Sequence, residues 1–175
     1  MNRAIIMAGL PGTGKSTLRE KLLEDFSDYV FIYSTDDYIE DIASIQKTTY
    51  SDVFQANIKS ATELMNQRLA DELNQNTDIL WDQTNLNEKK RSHIIRQFPK
   101  NYQVECHCIL PPRDVDEESE LWRRLESREG KSIPENVIRN MWNSFSIPNE
   151  QEGFDVIYYY DMYGEKVNEQ EYMGG

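Results

Sequence analysis

The strongest chemical signal in the sequence is the run Gly9-Leu10-Pro11-Gly12-Thr13-Gly14-Lys15-Ser16-Thr17. It satisfies G-x-x-x-x-G-K-[S/T] between a β-rich run and a helical pattern, the context this spacing needs. Glycines let the backbone turn tightly and bring successive N–H groups onto phosphate oxygens, while the helix that follows points its positive end at the same charge. Gly9, Pro11, Gly12, Thr13, Gly14 and Thr17 therefore read as a phosphate cradle. Lys15 is expected to reach the β- and γ-phosphates of ATP, and Ser16 to ligate Mg²⁺. The bland alternative is a glycine turn feeding a helix, with Lys15 and Ser16 in solvent.

Two carboxylate sites follow. The second β-rich run ends in Ser34-Thr35-Asp36-Asp37. Where parallel strands line a crevice with their carboxyl ends, a carboxylate here faces the γ-phosphate from the acceptor side, and Asp36 can take a proton from an attacking hydroxyl. Ser34 or Thr35 could equally cap a helix whose first turn favours Asp36 and Asp37 electrostatically, and Asp37 is read as serving that turn beside the acceptor. The apolar stub Ile79-Leu80-Trp81 ends in Asp82-Gln83-Thr84-Asn85-Leu86-Asn87. Asp82 stands where a second carboxylate can hold the water shell of Mg²⁺, and Thr84 or Asn85 where a side chain can hydrogen-bond acceptor or phosphate. Asn85 and Asn87 are also natural caps for a following helix.

Arg124 and Arg128 lie four apart on one helical face. Guanidinium forks grip two oxygens of a spread phosphoryl charge, so Arg128 is the expected transition-state clamp and Arg124 a nucleotide contact. Pairing with Glu120 and Glu126 on a solvated face is the alternative.

These residues need a scaffold, and the hydrophobic pattern supplies one. Short β-rich runs at 3–8, 29–33, 78–81, 104–110 and 156–160 alternate with helical patterns, as in an α/β chain whose parallel sheet is covered on both faces. Helices are expected over 15–26 and over 52–74 behind a Ser51 cap, over 86–98 and 114–128, and from Ile133-Pro134 through Met141. Residues 127–132, with Gly130 and no apolar side chain, read as a hinge or lid.

The chain has 175 residues, with 31 Asp and Glu against 19 Lys and Arg, a formal charge of −12. One soluble domain over 1–175 is expected, long enough to bury roughly 70% of its unfolded surface without disulfide or structural metal. There is no repeat, low-complexity tract or linker. No apolar run approaches the roughly 20 residues that span a bilayer, and the opening is too short for a signal h-region, which predicts a cytoplasmic protein with no membrane partner. No protein partner is called for by any motif. The acid excess argues against coating nucleic acid. Residues 89–139 nevertheless carry most of the positive charge, Arg91 included, and are where an anionic ligand is expected.

Cys106-His107-Cys108 lies in an alternating run, so the cysteines share a face and His107 takes the other. With His93 the only other histidine, neither a zinc shell nor a Ser/His or Cys/His nucleophile is expected. Tyr158-Tyr159-Tyr160 reads as a last strand rather than a base-stacking platform.

The phosphate loop, the D-D-Y at Asp36 to Tyr38, the D-Q-T-N-L-N at Asp82 to Asn87, the R-x-x-x-R-x-G-K-x-I-P from Arg124 to Pro134 and the E-G-F-D at Glu152 to Asp155 together resemble the kinase module of 5′-polynucleotide kinases, phage-type and bacterial. The resemblance runs in order over nearly the whole chain. It implies a P-loop NTPase three-layer sandwich with a five-stranded parallel sheet and an arginine-bearing lid. It also implies transfer of the γ-phosphate of ATP, with Mg²⁺, to a 5′-hydroxyl of DNA or RNA, with Lys15 and Ser16 holding ATP·Mg²⁺, Asp36 as general base and Arg128 on the transferring group. Phage-type members place an acceptor-side Arg where this chain has Ile39 and an Asp where it has Gln83, and add a phosphatase module for which 175 residues leave no room. Besides a polynucleotide end, the sequence allows a nucleoside or other small hydroxylated metabolite as acceptor, or a nucleotide-binding switch without phosphotransfer.

Overall fold

The computed structural model describes residues 1–168; residues 169–175 of the expected domain lie outside the described residues. Six strands form one sheet in the order β2-β3-β1-β4-β5-β6. They are β1 (Asn2–Ala8), β2 (Val30–Tyr33), β3 (Asp78–Trp81), β4 (Tyr102–Ile109), β5 (Val156–Tyr160) and β6 (Lys166–Val167). The first five pair in parallel, as expected, and β6 adds an antiparallel edge strand that the sequence reading lacked. Its turn rests on Asp161, whose carboxylate accepts the N–H groups of Tyr163 and Glu165.

The helices are α1 (Lys15–Leu23), α2 (Thr35–Gln46), α3 (Tyr50–Asn74), α4 (Glu88–Ile95), α5 (Val115–Glu126) and α6 (Glu135–Ser144). Alternation along the buried central strands sends side chains to two cores, as sheets covered on both faces require. Ala4, Ile6, Phe31, Ile79 and Trp81 pack with Met65 and Leu69 of α3 and Ile94 of α4. Ile5, Met7, Leu80 and Ile109 pack with Leu18 and Leu22 of α1. Cys106 and Cys108 sit in the first core and His107 on the opposite face, as the alternation predicts. Three layers result, and β1 lies where the connections change direction, with β3 on one side and β4 on the other. In open α/β sheets that switch point opens the ligand crevice beyond the strands' carboxyl ends.

Helices α2 to α5 start on side-chain caps. Ser34 accepts the Asp37 N–H at 3.1 Å, so the capping alternative for that segment is realised and α2 is a full helix with Asp36 and Asp37 in its first turn. The cap of α3 is Thr49 in a reciprocal box with Asp52, not Ser51. A box satisfies two orphan donors at once, which a lone Ser51 does not match. Asn87 caps α4 through the Lys90 N–H at 2.8 Å. Arg91 corrects the expectation of an anion-facing 89–139 segment. It is wholly buried, paired with Glu152 at 2.7 Å, and donates to the Asn85 carbonyl and the Ser146 hydroxyl. The E-G-F-D run is likewise structural, since the Asp155 carboxylate accepts the Val104 N–H and locks β5 beside β4.

Candidate active site

Residues 9–14 leave β1 and enter α1 directly, so the glycine loop stands at the switch point. The Gly9 N–H donates to the Thr84 carbonyl at 2.9 Å, which ties the end of β1 to the turn after β3. Thr13 is buried and spends its hydroxyl on the Leu10 carbonyl at 2.7 Å, bracing the loop from within. Gly12 and Gly14 have φ of 82° and 103°, a region that costs an L side chain dearly, and a Cβ on Gly12 would meet Leu125 Cδ2 at 3.0 Å. Ser16 and Thr17 are exposed on the first turn of α1, and Pro11 is partly exposed beside them.

Lys15 stands at the focus. Burial pushes its ammonium below the usual lysine range, the charges of Asp82 and Asp36 raise it, and those of Lys131 and Arg128 lower it further. Five groups from four separate parts of the chain thus share one field. They line a single cavity of about 1680 Å³ together with the glycine loop, Asp37, Thr84 and Asn85.

Each carboxylate has a built setting. Asp36 accepts the Tyr50 hydroxyl on Oδ1 at 2.6 Å and the Lys131 ammonium on Oδ2 at 3.3 Å, with its side chain half exposed. Burial works to raise its pKa, but Lys131, Tyr50 and Lys15 outweigh it and hold the carboxyl below the usual range. Asp82 and Asp37 are joined by Arg19, whose Nη1 lies 2.9 Å from Asp82 Oδ2 and 3.0 Å from Asp37 Oδ2. Arg19 was missed in the sequence. Its spacing of four from Lys15 puts both on one face of α1 and could have pointed to it.

The turn after β3 is rigid. Gln83 accepts from the Trp81 indole and donates to the Thr35 hydroxyl, stitching β3 to the start of α2. Asn85 adopts φ 45°, is buried and donates its amide to the Met7 carbonyl at 2.7 Å, while its Oδ1 has no partner among the described residues. It builds the turn and does not cap α4.

From the other side come the arginines. Arg124 is held by Glu120 at 2.9 Å, touches the Gly12 carbonyl at 3.4 Å and lies 5.7 Å from the Tyr163 ring. Arg128 carries a buried Nη1 with no hydrogen-bond partner among the described residues. A buried guanidinium donor without a partner is costly, and an anion in the cavity supplies the missing acceptor. That unspent donor, the glycine cradle and the Lys15 ammonium fit a triphosphate. Residues 127–132, expected as a hinge or lid, dock on the start of α3, where the Gly130 carbonyl accepts the Ser51 N–H at 3.1 Å and the Ser51 hydroxyl accepts the Ser132 N–H at 3.2 Å.

Comparison with known proteins agrees with this architecture. Residues 5–148 match the family described as AAA domain. Among solved structures, one from the PezAT toxin-antitoxin system of Streptococcus pneumoniae superposes with a TM-score of 0.66 at 18% identity, covering 96% of this chain and 70% of that one. A sugar kinase from Janibacter sp. HTCC2649 gives 0.55 at 20%, covering 93% and 87%. A fungal RNA kinase gives 0.53 at 13%, covering 96% and 76%. The fold is that of a P-loop kinase-like domain. No helix of the described residues is long and apolar enough to cross a membrane.

Proposed function

The chain belongs to the AAA domain family, and from the site it builds and the ordered motifs between Gly9 and Asp155 we propose that it is an ATP-dependent kinase transferring the γ-phosphate of ATP to the 5′-hydroxyl end of a polynucleotide. The observation that carries the reading is the convergence of Lys15, Asp36, Arg128 and Lys131 on one cavity beside a glycine cradle. A switch needs the cradle but no carboxylate facing it from the acceptor side.

In this reading the loop N–H groups and Lys15 bind the β- and γ-phosphates, Arg124 covers the cradle, and Thr84 and Asp37 border the acceptor. The acceptor oxygen attacks the γ-phosphorus, Asp36 takes the hydroxyl proton, and the β–γ bridging oxygen leaves with ADP. Arg128 donates to the equatorial oxygens as their charge spreads, the step at which a preorganised donor contributes most. Ser16 and Asp82 would hold Mg²⁺, which when bound neutralises phosphate charge. Arg19 fixes the Asp82 carboxylate for that task.

A second reading, a kinase of a nucleoside or other small hydroxylated metabolite, is favoured by Ile39. It is wholly buried between α2 and α3, so α2 offers no side chain there to an acceptor phosphate. Transfer from labelled ATP to a 5′-hydroxyl oligonucleotide, against a panel of nucleosides and sugars, separates the two. The expected result is labelled oligonucleotide, with turnover lowered by roughly 10²- to 10⁴-fold in Asp36→Asn while ATP affinity is kept. Label on a nucleoside or sugar alone selects the second reading, and ATP binding without any transfer leaves only a switch.

A further inference from the structure

Asp36 stands half exposed in a cavity of about 1680 Å³, so water has access to the base as well as an acceptor hydroxyl. Activated there, a water oxygen would bond to the γ-phosphorus, the β–γ bridging oxygen would leave on ADP with the electron pair of the broken bond, and the water proton would pass to Asp36. ATP would be hydrolysed with nothing phosphorylated. Both oxygens of the base are covered, however. Tyr50 donates its hydroxyl to Oδ1 at 2.6 Å, and the Lys131 ammonium lies 3.3 Å from Oδ2, 3.4 Å from Glu40 Oε1 and 4.4 Å from the centroid of the Tyr50 ring.

The start of α3 builds both covers. Tyr50 is its first residue, and Ser51 beside it holds the lid on either side of Lys131, through the Gly130 carbonyl and the Ser132 N–H. Gly130 has φ 68° and packs so closely that an added Cβ would stand 3.2 Å from Thr49 Cβ. The backbone next to Lys131 is therefore fixed, and the ammonium leaves Asp36 by rotation of its own flexible stem. Both its carboxylate partners are about half exposed, so the ion pairs that hold it are weak. An acceptor molecule bound through its remaining atoms can displace such a cation, whereas a lone water has no remote contacts with which to do so.

Resting on the kinase reading above, we propose that Lys131 is a positioning residue that makes the site selective against water: it covers Asp36 Oδ2 until an acceptor alcohol displaces it, and so suppresses hydrolysis of ATP while no acceptor is bound. The discrimination is between two hydroxyl nucleophiles, water and a carbon-bound alcohol. The same ammonium holds the Asp36 carboxyl below the usual range, so its departure both uncovers the oxygen and strengthens the base. Tyr50 stays on Oδ1 throughout.

The test measures ADP and inorganic phosphate formed from ATP and Mg²⁺ with no acceptor present, in the wild type, Lys131→Met, Lys131→Arg and the double variant Lys131→Met with Asp36→Asn. Transfer from labelled ATP to a 5′-hydroxyl oligonucleotide and to the panel of nucleosides and sugars is followed beside it. Lys131→Met keeps the stem and deletes the ammonium, and is expected to raise hydrolysis without acceptor about 3- to 10-fold, the effect of one partly exposed charged contact, and to lower the ratio of transfer to hydrolysis. Lys131→Arg should keep hydrolysis near the wild-type rate, and adding Asp36→Asn should abolish the gain. A lysine that only staples the lid would give the opposite sign, hydrolysis and transfer falling together as Arg128 is displaced. Hydrolysis unchanged or lower in Lys131→Met, or a gain that survives Asp36→Asn, overturns the proposal and leaves the kinase reading intact so long as the wild type labels an acceptor. Failure of the wild type to label the oligonucleotide or any of the panel removes both.

Discussion

Asp36 is the residue whose chemistry is most exposed to its neighbours. Its carboxyl is kept below the usual range against the opposing effect of burial, first by Lys131 and then by the Tyr50 hydroxyl. Tyr50 in turn has its phenol pushed up by burial and by the hydrogen bond it gives. In the proposed mechanism the base works only when deprotonated, so the acid limb of the kcat/KM profile reports this balance. Tyr50→Phe removes one stabilising donor from the carboxylate, which raises the Asp36 pKa. The limb should therefore move to higher pH, while turnover on the plateau falls much less than in Asp36→Asn. A pH–rate series on the two proteins checks this; a limb that stays in place would mean that another group accepts the proton. Tyr50 is also a residue that spacing could not reveal, because fourteen positions of sequence separate it from Asp36 and only the packing of α2 on α3 brings them together.

Elements were legible where a local cause is sufficient. The expected bounds of β3 and β5 coincide with those observed, because each is a short unbroken run rich in apolar, β-branched or aromatic residues, a local property of the chain. The phosphate loop was legible for the same reason, since its chemistry is written in consecutive residues. The Thr49 box was missed although it is local, because Ser51 and Thr49 both offer a cap and only the acid three residues after Thr49 tells them apart; the rest of what the sequence left out depends on tertiary partners: the Arg19 bridge between two carboxylates, and the two-residue strand β6, which exists only against β5. Arg91 is the sharpest case, read with a basic face yet placed in the core behind the active-site turn. Its pair with Glu152 is fully buried, and its second nitrogen holds the Asn85 carbonyl. Removing one partner leaves a buried charge alone, so Arg91→Met should destabilise by about 3–5 kcal/mol in urea titration. The double replacement Arg91→Met with Glu152→Met should recover much of that, because no uncompensated charge is left. Equal costs for the single and double variants would show that the pair matters for packing alone.

Across the whole molecule, a formal charge of −12 means that acid stability turns on which carboxylates are held ionised by the fold. Glu105 is the clearest of them. It lies on β4 between β1 and β5, accepts Nε and Nη2 of Arg3 from β1, and stands 3.1 Å from His107, whose other ring nitrogen is 2.9 Å from the Tyr160 hydroxyl on β5. Three strands are thus clasped on the face opposite α3. Burial opposes ionisation, but His107 and Arg3 bring the Glu105 carboxyl from 4.5 down to about 2. The folded state therefore binds fewer protons than the unfolded one in that interval. The stabilisation is full above about pH 4.5 and is lost as pH falls toward 2. Carboxylates distant from the cluster, such as Glu120 on α5, titrate alike in wild type and in Glu105→Gln, so the difference between the two unfolding free energies isolates this cluster. That difference should shrink on acidification by on the order of 1–2 kcal/mol between about pH 6 and pH 3, measured by urea titration at each pH. Curves that run parallel over the interval would mean that Arg3 and His107 hold the strands by shape and not by charge.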